Sequence, residues 1–257
     1  MLRRLLPVCL AVLLTGFGSP VAASGSNARG SDSFRLAPQR PGTVDAYILS
    51  FGLWGPQSVF ESEAKGAARI LAARLDAQGR TIVAFNSKTR FGARPQNLIA
   101  AAEAVGRVLD PDEDVAVLVL TSHGSPEGVA VVAGREQRML SPDAARALLA
   151  RTRARFRVLI VSACYSGVFA RALADPRTLV VTAAAADKPS FGCRDGATWT
   201  YFGDAFFNQA LRSESSLPAA FARARALVTA REQREGFDPS EPQIAGGAEV
   251  LARLSPR

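Results

Sequence analysis

The chain has 257 residues, 48% of them hydrophobic, and a formal net charge of +8 at pH 7. Of its 31 basic residues 28 are arginines, spread along the chain with acids between them, which excludes the concentrated basic stripe of a nucleic-acid-binding surface. A single histidine excludes zinc peptidases of the His-Glu-x-x-His kind.

The chain opens with Met1-Leu2-Arg3-Arg4, runs through an apolar stretch from Leu5 to Phe17, and reaches Val21-Ala22-Ala23. A basic start, an apolar run and small residues before a cleavage point form the pattern of a secretory signal peptide, expected over 1–23. The apolar run is 13 residues, short of the ~20 that span a bilayer as a helix, so no stable membrane span is expected. The product is then an exported bacterial protein, periplasmic or secreted. Cys9 leaves with the signal, and loss of Arg3 and Arg4 lowers the net charge to +6. Residues 24–42 are rich in Ser, Gly and Arg without an apolar period and read as a flexible leader. The remainder, 43–257, is enough for one well-buried domain and too short for two of ordinary size.

Along that remainder, β-rich apolar runs alternate with helical patterns. Strands are predicted at Val44 to Phe51, Thr81 to Phe85, Val115 to Ser122, Phe156 to Ala163 and Thr178 to Ala183. Several of these are continuous apolar runs, as in strands covered on both faces of a parallel sheet. Helical spacing links Phe60, Ala64, Ala67, Ala68, Leu71 and Leu75, and then Leu98, Ala101, Ala102, Val105 and Leu109. Ser141-Pro142 supplies a cap and a first-turn proline for a third helix. Trp199, Phe202, Phe206 and Ala210, and then Leu217, Phe221, Ala224 and Val228, mark two late helices. Val129 to Val132 and Gln137 to Leu140 form a small inserted hairpin. The fold class is α/β, a mostly parallel sheet flanked by helices on both faces.

Chemistry in such sheets collects at the carboxyl ends of the strands. The third strand delivers Ser122-His123-Gly124, and the fourth delivers Ala163-Cys164-Tyr165-Ser166-Gly167. If these strands are neighbours, His123 and Cys164 stand side by side, as nucleophile and general base require. A free thiol is only about 3% ionised at neutral pH, and an imidazole together with a helix N-terminus lowers its pKa. A helix is expected to begin just after Tyr165, with its positive end toward the sulfur. Gly124 allows a backbone N–H to approach a bound carbonyl and, with the N–H of Cys164, to form an oxyanion hole. Mature Cys164 and Cys193 could instead form a disulfide in an oxidising compartment, although one bridge adds only a few kcal/mol to a domain of this size. No Gly-x-Gly-x-x-Gly or P-loop motif occurs, so neither a nucleotide cofactor nor a metal is expected.

With Ser122-His123-Gly124 followed 41 residues after the histidine by Cys164 in Ala163-Cys164-Tyr165-Ser166-Gly167, the chain resembles the legumain family of the caspase-like clan. The segment from Thr182 through Ser190, Cys193 and Tyr201 to Gly203-Asp204 is similar to the family's segment after its fifth strand. This resemblance implies a caspase-like sheet, a Cys/His dyad, no cofactor, and a peptide or protein substrate. It also implies a substrate pocket floored by Ser162, the Ser190 segment and Asp204. Asp204 would be the pocket's one charge, favouring side chains that donate hydrogen bonds over acids. Three positions depart from the family. Tyr165 and Ser162 stand where family members carry acids, and the stretch from Phe60 to Glu63 lacks the family's Asn and Arg-His. Three functions fit: a cysteine endopeptidase or transpeptidase, a noncatalytic caspase-like binding module, and a thiol redox protein. The last lacks the expected Cys-x-x-Cys.

Overall fold

A computed structural model describes residues 34–255. The signal peptide expected at 1–23 and the first part of the leader lie outside the described residues. The strands are β1 (Ala46–Gly52), β2 (Thr81–Phe85), β3 (Val115–Thr121), β4 (Gly124–Ser125), β5 (Gly128–Ala133), β6 (Glu136–Leu140), β7 (Phe156–Ser162), β8 (Thr178–Thr182) and β9 (Gln243–Gly246). The helices are α1 (Ser58–Arg74), α2 (Pro95–Gly106), α3 (Pro142–Arg151), α4 (Gly167–Leu173), α5 (Tyr201–Gly203), α6 (Leu211–Ser213), α7 (Leu217–Glu235) and α8 (Ala248–Leu254), with a π-helix at Asp204–Ala210 between α5 and α6.

Six strands form the main sheet in the order β2-β1-β3-β7-β8-β9. All its pairings are parallel except that of β8 with β9. Successive side chains of a strand point to opposite faces, and both faces here are dry. Tyr47, Leu49, Phe51, Leu118, Leu120 and Leu159 join one buried cluster with α2, α3 and α4. Ile48, Val117, Val119, Val158 and Ile160 join the other with α1, the π-helix and α7. That two-sided burial explains why the central strands read as unbroken apolar runs.

The expected elements lie close to where the sequence places them, and Ser141 caps α3 by accepting the Ala144 N–H at 3.2 Å. Three features differ. Strand β9 and helix α8 were not expected: Gln243-Ile-Ala-Gly is a short edge strand whose identity depends on pairing with β8. The helix expected across Trp199 to Ala210 begins only at Tyr201 and turns π at Asp204. Trp199 precedes it, with its indole so close over Gly66 that a β-carbon there would lie 2.3 Å away.

The third difference is in the leader, since residues 34–42 are docked on the domain. Ala37 N–H donates to Gly79 O at 2.7 Å, and Arg80 donates to Pro38 O at 2.7 Å. Arg40 reaches Asp45, which is fully buried, with its guanidinium at 2.6 Å. A buried carboxylate must be paired to remain charged, and that need holds this end of the leader in place.

Candidate active site

Thr121, the last residue of β3, is the register partner of Ser162, the last residue of β7. His123 and Cys164 each follow two residues later, so parallel pairing brings the two chemical groups to adjoining strand ends. Around the histidine the backbone is held on both sides. Ser122 N–H donates to Ser162 O at 3.2 Å, and Ala130 N–H from the hairpin donates to His123 O at 2.9 Å. The edge-on rings of Trp54 and Phe60, with centroids at 4.7 and 5.0 Å, confine the imidazole. Burial lowers the His123 pKa and favours the neutral ring.

Gln57, in extended conformation just ahead of α1, determines which tautomer that ring takes. Its Nε2 donates to the Cys193 carbonyl at 2.9 Å, so its carbonyl oxygen must be the atom 2.5 Å from His123 Nε2. A carbonyl oxygen only accepts. The Nε2 of His123 therefore carries the hydrogen, and in the neutral ring Nδ1 holds the free lone pair.

The Cys164 thiol lies against Ser190, accepting the Ser190 N–H at 3.2 Å and facing the Ser190 carbonyl at 3.4 Å. Tyr165 adopts a left-handed φ of 55°, a conformation that costs roughly 1–3 kcal/mol for a non-glycine residue and tends to occur at functional sites. The turn is held where Tyr165 N–H meets Lys188 O at 2.8 Å. Helix α4 then begins at Gly167. Gly124 cannot be replaced without displacing the site, because a β-carbon there would lie 2.0 Å from the Cys164 carbonyl. Cys193 is a free thiol, as is Cys164. Burial, with the nearby charges of Cys164 and Glu63, pushes the Cys193 pKa up to about 12, so it stays protonated.

The three expected pocket residues are placed differently from one another. Ser190 meets the sulfur. Ser162 is buried beneath the site with its hydroxyl 3.1 Å from that of Thr200. The Asp204 carboxylate is occupied within its own π-helix by Asn208 and Gln209, each at 2.8 Å. The charged residue beneath the strand ends is Glu63, fully buried, which accepts from the Thr121 hydroxyl and the Thr200 N–H, each at 2.8 Å. Burial raises its pKa against the opposing hydrogen bonds of Ser162, Thr200 and Thr121.

Gln57 and Glu63 are the site residues that sequence reasoning missed. Gln57 lies one residue ahead of α1, outside the Phe60 to Glu63 stretch where the family resemblance implies the histidine's partners. Glu63 carried a readable signal, a charge within the apolar stripe of Phe60, Ala64 and Ala67.

Among the described residues no group of His, Cys, Asp or Glu side chains is arranged to hold a metal ion, and no helix is long and apolar enough to cross a membrane. A sheet of this topology with helices on both faces, and a cysteine and a histidine at adjoining strand ends, defines a caspase-like cysteine hydrolase. In a search of solved structures the chain aligns with caspase-1 from Spodoptera frugiperda at a TM-score of 0.50 and 12% identity, over 82% of this chain and 93% of that one. Residues 58–248 match the model of the Peptidase C13 family, and the chain belongs to that family of cysteine peptidases, the legumain family. A search of curated proteins by sequence gave no match.

Proposed function

We propose that the chain is an exported cysteine endopeptidase that works through a thioester formed on Cys164, with His123 as base. The observation that carries this reading is the pair of hydrogen bonds made by Gln57, which leaves His123 Nδ1 as the ring's proton acceptor. His123 takes the thiol proton as Cys164 Sγ attacks the scissile carbonyl carbon. The tetrahedral oxyanion is stabilised by the N–H groups of Gly124 and Cys164. Its collapse breaks the C–N bond, and the imidazolium gives its proton to the leaving amine. Water, deprotonated by the same ring, then opens the thioester and releases the acid. The Ser190 backbone, already against the sulfur, borders the substrate chain.

The test is to incubate residues 24–257 with a peptide mixture and with a peptidyl acyloxymethyl ketone, reading both by mass spectrometry. Cleaved peptides and a single adduct on Cys164 are expected. Peptides left whole by the wild type and by Cys164→Ala alike would refute the reading.

A further inference from the structure

We infer that Glu63 is a positioning residue, which sets the relative placement of His123 and Cys164 by joining their strand ends to the segment that walls the site. The inference deepens the peptidase reading and in its activity arm rests on it.

The carboxylate sits over two register partners. Thr121 donates its hydroxyl to Oε1 at 2.8 Å. Ser162, across the strand pair from Thr121, reaches Thr200 through hydroxyls 3.1 Å apart. Thr200 in turn donates its N–H to Oε2 at 2.8 Å, and its hydroxyl accepts from Gly203 N–H at 2.9 Å. Thr121 leads to His123 and Ser162 leads to Cys164, each in two residues. From Thr200 the chain runs back to Cys193, whose carbonyl receives Gln57, the residue that holds the imidazole. The path therefore closes: Gln57 to His123, β3 to Glu63, Glu63 to Thr200, and the 193–200 segment back to Gln57. The carboxylate is packed directly against Gly203. A β-carbon on Gly203 would come within 1.9 Å of Oε2.

A carboxylate suits this place because both oxygens accept, and the donors converge from a side chain on one element and a backbone N–H on another. Glutamine keeps one acceptor for the Thr200 N–H and can turn its amide toward the Thr121 hydroxyl, which can accept. Alanine leaves a buried N–H unsatisfied and a void. Thr121→Val keeps shape and removes only the hydroxyl on Oε1.

The experiment uses Glu63→Ala, Glu63→Gln and Thr121→Val in residues 24–257, assayed at 20 °C after thermal melts establish which variants are folded. Two quantities are read: kcat and KM on one peptide, and the rate of Cys164 alkylation by iodoacetamide across pH. Misplacement of reacting groups by about 1 Å can cost a hundredfold in rate, so Glu63→Ala should lower kcat by about that factor with KM within about twofold. Thr121→Val should lose about tenfold, and Glu63→Gln should recover to within about tenfold of wild type. In the variants that lose rate, the alkylation profile should shift along the pH axis, a change that loss of fold stability alone would not produce in a folded protein. Folded Glu63→Gln and Thr121→Val with wild-type kcat and alkylation profile would overturn the assignment, even if Glu63→Ala failed to fold. A wild type that cleaves no peptide would sink the peptidase reading, and the alkylation arm would still decide the role of Glu63.

Discussion

The sheet buries two carboxylates at its amino end, Asp45 and Asp114, and one at its carboxyl end, Glu63, and Asp45 and Glu63 are handled in opposite ways. At the amino end Asp45 is met by cations, Arg40 at 2.6 Å and the nearly buried Arg80 at 3.3 Å. Asp114 accepts the Asp45 N–H at 2.9 Å and ties the starts of β1 and β3 together. At the carboxyl end Glu63 is met by neutral donors, a threonine hydroxyl and a backbone N–H. Cations at the amino end compensate a buried charge and hold the leader, which contributes to stability. A cation beside Glu63 would lie near the Cys193 thiol and would favour its thiolate. With no cation there, burial, with Cys164 and Glu63 adding to it, keeps the Cys193 thiol protonated. The difference teaches that a buried carboxylate at one end of the sheet is neutralised by cations and at the other is used to join strand ends through neutral donors.

The largest effects expected lie at the carboxyl end. Cys164→Ala and His123→Ala should each lower peptide turnover by at least about a thousandfold, since nucleophile and base act as one unit. Thermal melts within a few degrees of wild type would place that loss in chemistry and leave the amino end untouched.

Arg80→Ala inverts the pattern. Asp45 keeps Arg40 but loses its second cation, and the Pro38 carbonyl loses its donor. The cost is about 1–3 kcal/mol, to be read from urea unfolding, while kcat at 20 °C stays near wild type. Equal stability loss from Arg80→Ala and Cys164→Ala would erase the contrast between the two ends.

Gln57→Ala should reduce kcat by roughly a hundredfold, because the ring loses the partner that sets its tautomer. KM for the same peptide should change far less.

A smaller effect follows from pH. Burial lowers the His123 pKa, so the acid limb of kcat/KM should lie below the ordinary histidine value of about 6.5. The unfolded chain binds the proton more readily than the folded one. The stability contributed by the neutral buried ring is therefore complete above about pH 6.5 and is lost as pH falls through the window down to the folded pKa. Rate profiles and urea titrations of wild type between pH 4 and 8 measure both, and an acid limb above 6.5 contradicts the burial argument.

Cys193→Ala should change turnover least, within about twofold, and iodoacetamide at pH 8 should label Cys164 while sparing Cys193, whose pKa of about 12 keeps it protonated. Equal labelling would show that the carboxyl end does not separate its two thiols.

Period and composition made the five parallel strands, the inserted hairpin and the main helices legible, because a strand covered on both faces must be apolar throughout and a covering helix must carry an apolar stripe. The same logic put His123 and Cys164 at strand ends, where the sequence alone supplies one histidine and a cysteine 41 residues later. What only the tertiary structure decided are relations with no local signature. Strand β9 exists because β8 offers an open edge, and residues 34–42 are docked because Asp45 is buried and needs a cation. The assignment of roles around the site is of the same kind. Asp204, the charge expected in the pocket, is satisfied by its own helix. Gln57 and Glu63 gain their places from partners between 58 and 137 residues away in sequence. A hydrogen bond depends on where two groups end up in space, and the sequence around either group carries no periodicity that would reveal the other.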